Sequence, residues 1–135
     1  MAEITEKDAL KLWDDMFPGQ EFAQDCFGTW MCRSCWSNEE CLRLRPGMTR
    51  KYDYSWNVDH IRPKSDFVNE DDSYFFGNYE PMHRLNNEEK KDNYPSFKID
   101  NYSYTVVKDG YGGYGIADSS GKRIDIKAKL GIYYK

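Results

Sequence analysis

The chain has 135 residues, of which 39% are hydrophobic and 31% charged, a length that suits one domain and leaves too little material for two stable cores. Its net charge of −4 argues against a protein that coats nucleic acid by bulk electrostatics, and no apolar run approaches the ~20 residues that span a bilayer. The acidic first residues lack the basic-then-apolar order of a signal peptide, so the expected location is intracellular and cytoplasmic, with no membrane partner.

Leu10, Trp13 and Phe17 recur at helical intervals, and Thr5 with Asp8 resembles a capping box, so a helix is expected from about 5 to 16. Pro18-Gly19 ends it, after which EFAQDCFGTWMC reads as a short second helix or an irregular stretch. Charge is unevenly spread: residues 1–25 hold seven acids against two lysines, whereas residues 41–65 hold Arg43, Arg45, Arg50, Lys51, Arg62 and Lys64 against Asp53 and Asp59. Arg45-Pro46-Gly47 is a turn signal leading into the alternating aromatics Tyr52, Tyr54 and Trp56, which predict a strand around 54–60. From Arg62 to Asn78 the chain is polar and without periodicity, a long loop of the kind that usually serves a site. A short strand over Tyr79–His83 and a polar helix over Leu85–Asp92, ended before Pro95, follow. The segments YSYTVV, GYGIAD and RIDIKAKLGIYY, separated by Gly-rich and Ser-Ser-Gly turns, predict a three-stranded antiparallel sheet. Its tyrosines suit sheet packing, an interface or a stacking platform.

The two histidines, His60 and His83, both lie within WNVDHIRPKS…GNYEPMHRLNNEEKKD. Asp59 precedes His60, Asn78 follows after a loop of seventeen residues, and Asn87 and Lys90 come nine and three residues later in turn. The pattern W-x-x-D-H-I-x-P-x-S, then N-x-x-P-M-H, then N-N-x-x-K-x-D resembles the HNH endonuclease family, over about Trp56 to Pro95. The resemblance implies an α+β fold: a ββα-metal core over 51–95, between a helical, Cys-rich part (1–50) and a C-terminal antiparallel β extension (96–135), all one domain.

It also implies a chemistry. His60 takes the place of the general base, since an imidazole of ordinary pKa about 6.5 can accept a proton from water near neutral pH. Asp59 and Asn87 take the places of the ligands of one divalent cation, Mg²⁺ or Mn²⁺, which prefer hard oxygen donors. Asn78 corresponds to the central asparagine that holds the long loop near the base, or is a plain turn former where loop meets strand. Arg62 and Lys90 are candidate phosphate contacts or solvated surface. Many family members bind structural zinc through two CxxC pairs, but the second pair here reads His83 and Asn86. Cys26, Cys32, Cys35 and Cys41 form a C-x5-C-x2-C-x5-C set suited to a tetrahedral zinc site, or are reduced thiols packed as small apolar side chains. His83 either joins a mixed metal site or caps its strand.

The function implied is a metal-dependent endonuclease, monomer or homodimer, that nicks double-stranded DNA once per active site. The alternatives are a non-catalytic zinc or nucleic-acid-binding module and a subunit of a larger nucleic-acid-processing assembly that docks through its C-terminal sheet.

Overall fold

The computed structural model describes residues 3–132. Helix α1 (Glu6–Met16) begins at Thr5, whose side chain accepts from Asp8 N–H while the Asp8 carboxylate accepts from Thr5 N–H, the reciprocal arrangement the sequence suggested. Its apolar face buries Ala9, Leu12, Trp13 and Met16. The stretch after Pro18-Gly19 is neither helical nor irregular. It forms a hairpin of β1 (Phe22–Gln24) and β2 (Trp30–Cys32), because Asp25 Oδ1 accepts from both Phe27 and Thr29 N–H and Gly28 supplies a positive φ at the turn.

A second small hairpin pairs β3 (Leu42–Arg43) with β4 (Tyr52–Asp53) and leads directly into β5 (Trp56–His60). The strand expected around 54–60 is β5, beginning two residues later, with Tyr54 and Ser55 buried in the link from β4. Strand β5 pairs antiparallel with β6 (Tyr79–His83), which sets Asp59 opposite Glu80 and His60 opposite Tyr79. The connection between them is the predicted loop, organised into three short 3-10 turns. Helix α2 (Arg84–Lys90) follows β6 without a break, since His83 Nδ1 accepts from Leu85 N–H and caps it; it stops at Lys91, which has a φ of 54°.

The C-terminal sheet is three-stranded and antiparallel, but its members differ from those expected. They are β7 (Ser96–Ile99), β8 (Tyr102–Lys108) and β9 (Tyr114–Asp118), in that order across the sheet. The segment from Arg123 onward is not a strand. After a single bridge from Arg123 to Ala117, Asp125 accepts from Ala128 N–H and caps α3 (Ile126–Leu130), which Gly131 ends in the left-handed region. The apolar–polar alternation from Ile124 to Lys127 that suggested a strand instead lies on a helix start that places Ile126 and Lys127 inside the protein. Residues 133–135 of that segment lie outside the described residues.

The fold is thus α+β, three helices with small antiparallel sheets. One apolar cluster runs from Ala9 to Ile126, centred on Trp13 and Trp56, whose ring centroids are 5.0 Å apart. Both indole N–H groups donate to backbone carbonyls, of Gln20 and Arg33, so neither buried tryptophan leaves an orphan donor. Among the described residues, no helix is long and apolar enough to cross a membrane.

Candidate functional site

A cleft of about 360 Å³ opens where the end of β5 meets α2, lined by Asn57, Asp59, His60, Lys64 and Asn87 among others. It continues toward Glu3, Trp36 and Tyr74. Residues i and i+2 of a strand share a face, and here Asn57 and Asp59 both reach α2. Asn87 Nδ2 donates to Asn57 Oδ1, and Lys90 Nζ lies 3.2 Å from Asp59 Oδ2. Asn57 in turn donates to Asn38 Oδ1 at 3.1 Å, so three carboxamides run in series along one wall. The bond to Asn57 uses the Nδ2 of Asn87 and not its Oδ1.

His60 leaves the strand on the other side, between the rings of Tyr74 and Tyr79 at centroid distances of 4.7 and 5.6 Å. Its Nε2 is buried without a hydrogen-bond partner, and Asp59 Oδ2 has none beyond its ion pair. Two unspent polar atoms on neighbouring residues of one cleft are unusual, because buried polar groups are otherwise almost always satisfied. Burial, with the ammonium groups of Lys64 and Lys90 adding to it, pushes the imidazole down to about 4, so it is neutral at physiological pH but a weaker base than the ordinary imidazole expected from the sequence. Burial pushes the Asp59 carboxyl up to about 6, against the pull of Lys90.

Asn78 is wholly buried and holds the loop that follows His60. Its Oδ1 accepts from Arg62 N–H at 2.8 Å, and its Nδ2 donates to the carbonyls of Arg62 and Ser73 at 3.1 and 3.0 Å. Its own carbonyl accepts from Ile61 N–H, so one residue just before β6 fixes the chain on either side of the turn beyond His60.

The candidate phosphate contacts are otherwise engaged. Lys90 is fully buried, with Nζ directed at the Ile61 and His60 carbonyls and at Asp59, which withdraws it from solvent and corrects its reading as a surface cation. Arg62 pairs with Asp66 at 2.6 Å and donates to Tyr114 Oη at 2.7 Å, tying the loop to the C-terminal sheet.

The four cysteines are not gathered around one point. Cys35 and Cys41 are joined by a disulfide, which corrects the reading of four free thiols, whereas Cys26 and Cys32 are separate buried thiols. Cys32 Sγ donates to Glu21 Oε1, and two sulfurs already bonded to each other cannot also complete a tetrahedral four-sulfur site. His83 caps α2 rather than its own strand: with Nδ1 accepting from Leu85 N–H, Nε2 carries the proton and donates to Asp53 O at 2.9 Å. Among the described residues, no three His, Cys, Asp or Glu side chains are grouped to hold a metal. A site of one carboxylate and one amide oxygen falls below that count, and such a sparse set suits a cation that keeps most of its waters.

Asn38 and Asn57 belong to this cleft and were not singled out from the sequence. Asn57 carried a usable signal, since it lies two residues before Asp59 in a strand; Asn38 carried none, because it reaches the cleft only through the chain path that the fold creates. Comparison of the chain with protein-family models, with curated proteins and with solved structures finds no match.

Proposed function

We propose that the protein is a metal-dependent endonuclease of the HNH type, hydrolysing phosphodiester bonds of double-stranded DNA, and that the β5–β6–α2 unit is its ββα-metal core. The observation that carries the reading is His60 Nε2, buried without a hydrogen-bond partner, on the residue next to Asp59, whose Oδ2 is held by nothing but its ion pair with Lys90, in one cleft that Asn87 also lines. The donor set fits a hard divalent cation: Asp59 Oδ2 and Asn87 Oδ1 would hold Mg²⁺ or Mn²⁺. Bound there, such a cation supplies Lewis-acid polarisation of the phosphate and stabilisation of the departing 3′ oxygen.

The chain's own residues do the rest. His60, neutral at physiological pH and with Nε2 unbonded, takes the proton of a water whose oxygen forms the new bond to phosphorus as the bond to O3′ breaks. The departing O3′ takes a proton from solvent water and becomes the 3′ hydroxyl of one product, while the 5′ phosphate stays on the other. Tyr74 and Tyr79 flank the imidazole and restrict its rotation, and Asn78 fixes the backbone behind it. One active site per chain nicks one strand.

A single observation favours a second reading, in which the same frame binds nucleic acid without cutting it: Lys90 already neutralises Asp59 from 3.2 Å. A plasmid-nicking assay with Mg²⁺ or Mn²⁺ separates the two. Wild type should nick, and His60→Ala should be slower by ~10² to 10⁴ while keeping its circular dichroism. Equal nicking by both, or by neither across metals and substrates, would reject the nuclease reading.

A further inference from the structure

The chain just before β5 forms an arm whose cations have no acidic partners. Strands β3 and β4 pair at only two positions, and residues 44–51 turn beyond them through Arg45-Pro46-Gly47, where Met48 N–H donates to Arg45 O and Gly47 has a φ of 90°. The root of the arm is fixed. The Cys35–Cys41 disulfide, the bond from Tyr54 N–H to Cys41 O, and Asp53, which accepts from Cys41 N–H and pairs with Arg84 of α2 at 2.8 Å, tie it to the element that carries Asn87.

Seven arginines occur in the chain. The four outside the arm, Arg33, Arg62, Arg84 and Arg123, each pair with a carboxylate: Asp14, Asp66, Asp53 and Asp125 respectively. The three inside it, Arg43, Arg45 and Arg50, together with Lys51, form no ion pair among the described residues, and no acid lies between Cys41 and Asp53. Aromatic rings hold two of these guanidinium groups in place. Arg45 lies 3.9 Å over Trp30, with Nε buried and unpartnered; Arg50 lies 4.9 Å over Tyr52 and donates to its hydroxyl. A guanidinium already stacked and extended loses less rotamer freedom when it meets an anion.

In a chain of net charge −4, this local excess of positive charge without acidic partners is complementary to a polyanion. We infer that the β3–β4 arm grips the phosphodiester backbone of double-stranded DNA, holding it beside the cleft through Arg43, Arg45, Arg50 and Lys51. The choice of DNA over an acidic protein rests on the nuclease reading, because the arm runs without interruption into the strand bearing Asp59 and His60.

The test is the salt dependence of binding to a short fluorescein-labelled DNA duplex, followed by anisotropy with a chelator present so that no cleavage intervenes. Arg43 and Lys51 are exposed, so R43A/K51A should fold normally. It should lower the slope of log affinity against log salt by about 1.8, at about 0.9 per cation lost, whereas the charge-keeping R43K/K51R should retain the wild-type slope. The pair K7A/K11A, which takes the same charge from α1, should leave it unchanged. An unchanged slope in R43A/K51A, an equal fall in K7A/K11A, or a wild type that does not bind the duplex would overturn the inference. Wild type that binds through the arm but nicks no plasmid would sink the nuclease reading and spare the arm; nicking by wild type, with R43A/K51A binding unchanged, would do the reverse.

Discussion

Among the described residues two lysines are completely buried, and the protein treats them differently. Lys127 of α3 is fully provided for: its ammonium donates to Tyr114 O at 2.6 Å and Gly77 O at 2.7 Å, and Asp109, 3.4 Å away, is itself held by the N–H groups of Tyr111 and Gly113. Lys90 of α2 has longer contacts, 3.0 Å to Ile61 O, 3.4 Å to His60 O and 3.2 Å to Asp59, whose Oδ2 accepts no hydrogen bond. The first arrangement joins α3, β9 and the loop before β6 into a closed network. The second leaves acceptor capacity on a buried carboxylate in the lining of a cleft. The ammonium of Lys127 is met by close acceptors, whereas that of Lys90 at the cleft is held more loosely, an arrangement compatible with the exchangeable cation proposed there.

The largest effect expected from this contrast is on stability. Lys127→Met strands a buried carboxylate and two carbonyls and should cost about 3–5 kcal/mol, measured by urea denaturation. Lys90→Met should cost less, about 1–3 kcal/mol, because Asp59, already pushed up to about 6, can take a proton instead of remaining charged. Equal losses, or a greater loss at Lys90, would break the comparison. Next in size is Asn78→Ala, which removes three hydrogen bonds to backbone from a buried carboxamide and should cost about 2–4 kcal/mol, with nicking lost alongside because the turn beyond His60 is released.

The smallest expected effect concerns acid stability. Burial alone would raise the Asp53 carboxyl, but hydrogen bonds from Cys41, Ser55 and Arg84 outweigh it and bring it down to about 2. A carboxyl lower in the folded than in the unfolded state stabilises the fold fully above the unfolded value of about 3.9, and that contribution disappears as pH falls through about 2. Wild type should therefore lose more of its urea midpoint than Asp53→Asn between pH 5 and 2, and parallel losses would show that the root of the arm is not held by this charge.

Much of the candidate site was legible because it is local. Thr5 and Asp8 cap α1, Asp59, His60 and Asn87 sit in short motifs, and the polar run after Arg62 announced a loop. What was not legible depends on distant chain. The Ile124–Lys127 alternation suits a strand, and only the acceptors at Gly77, Tyr114 and Asp109 explain why Lys127 turns inward on a helix. Lys90 looked like a surface cation because its burial is created by β5, and Asn38 entered the cleft through a long-range bond to Asn57. The spacing of four cysteines suited zinc, yet spacing says nothing of which two sulfurs meet.

The most direct measurement is a Mn²⁺ titration followed by electron paramagnetic resonance, on wild type and Asp59→Asn with a DNA duplex present. Wild type should take up one Mn²⁺ per chain at the cleft, and Asp59→Asn should lose that uptake while its circular dichroism stays unchanged. Uptake that is equal in the two proteins, or undetectable in wild type, would contradict the assignment of Asp59 as the cation-holding carboxylate.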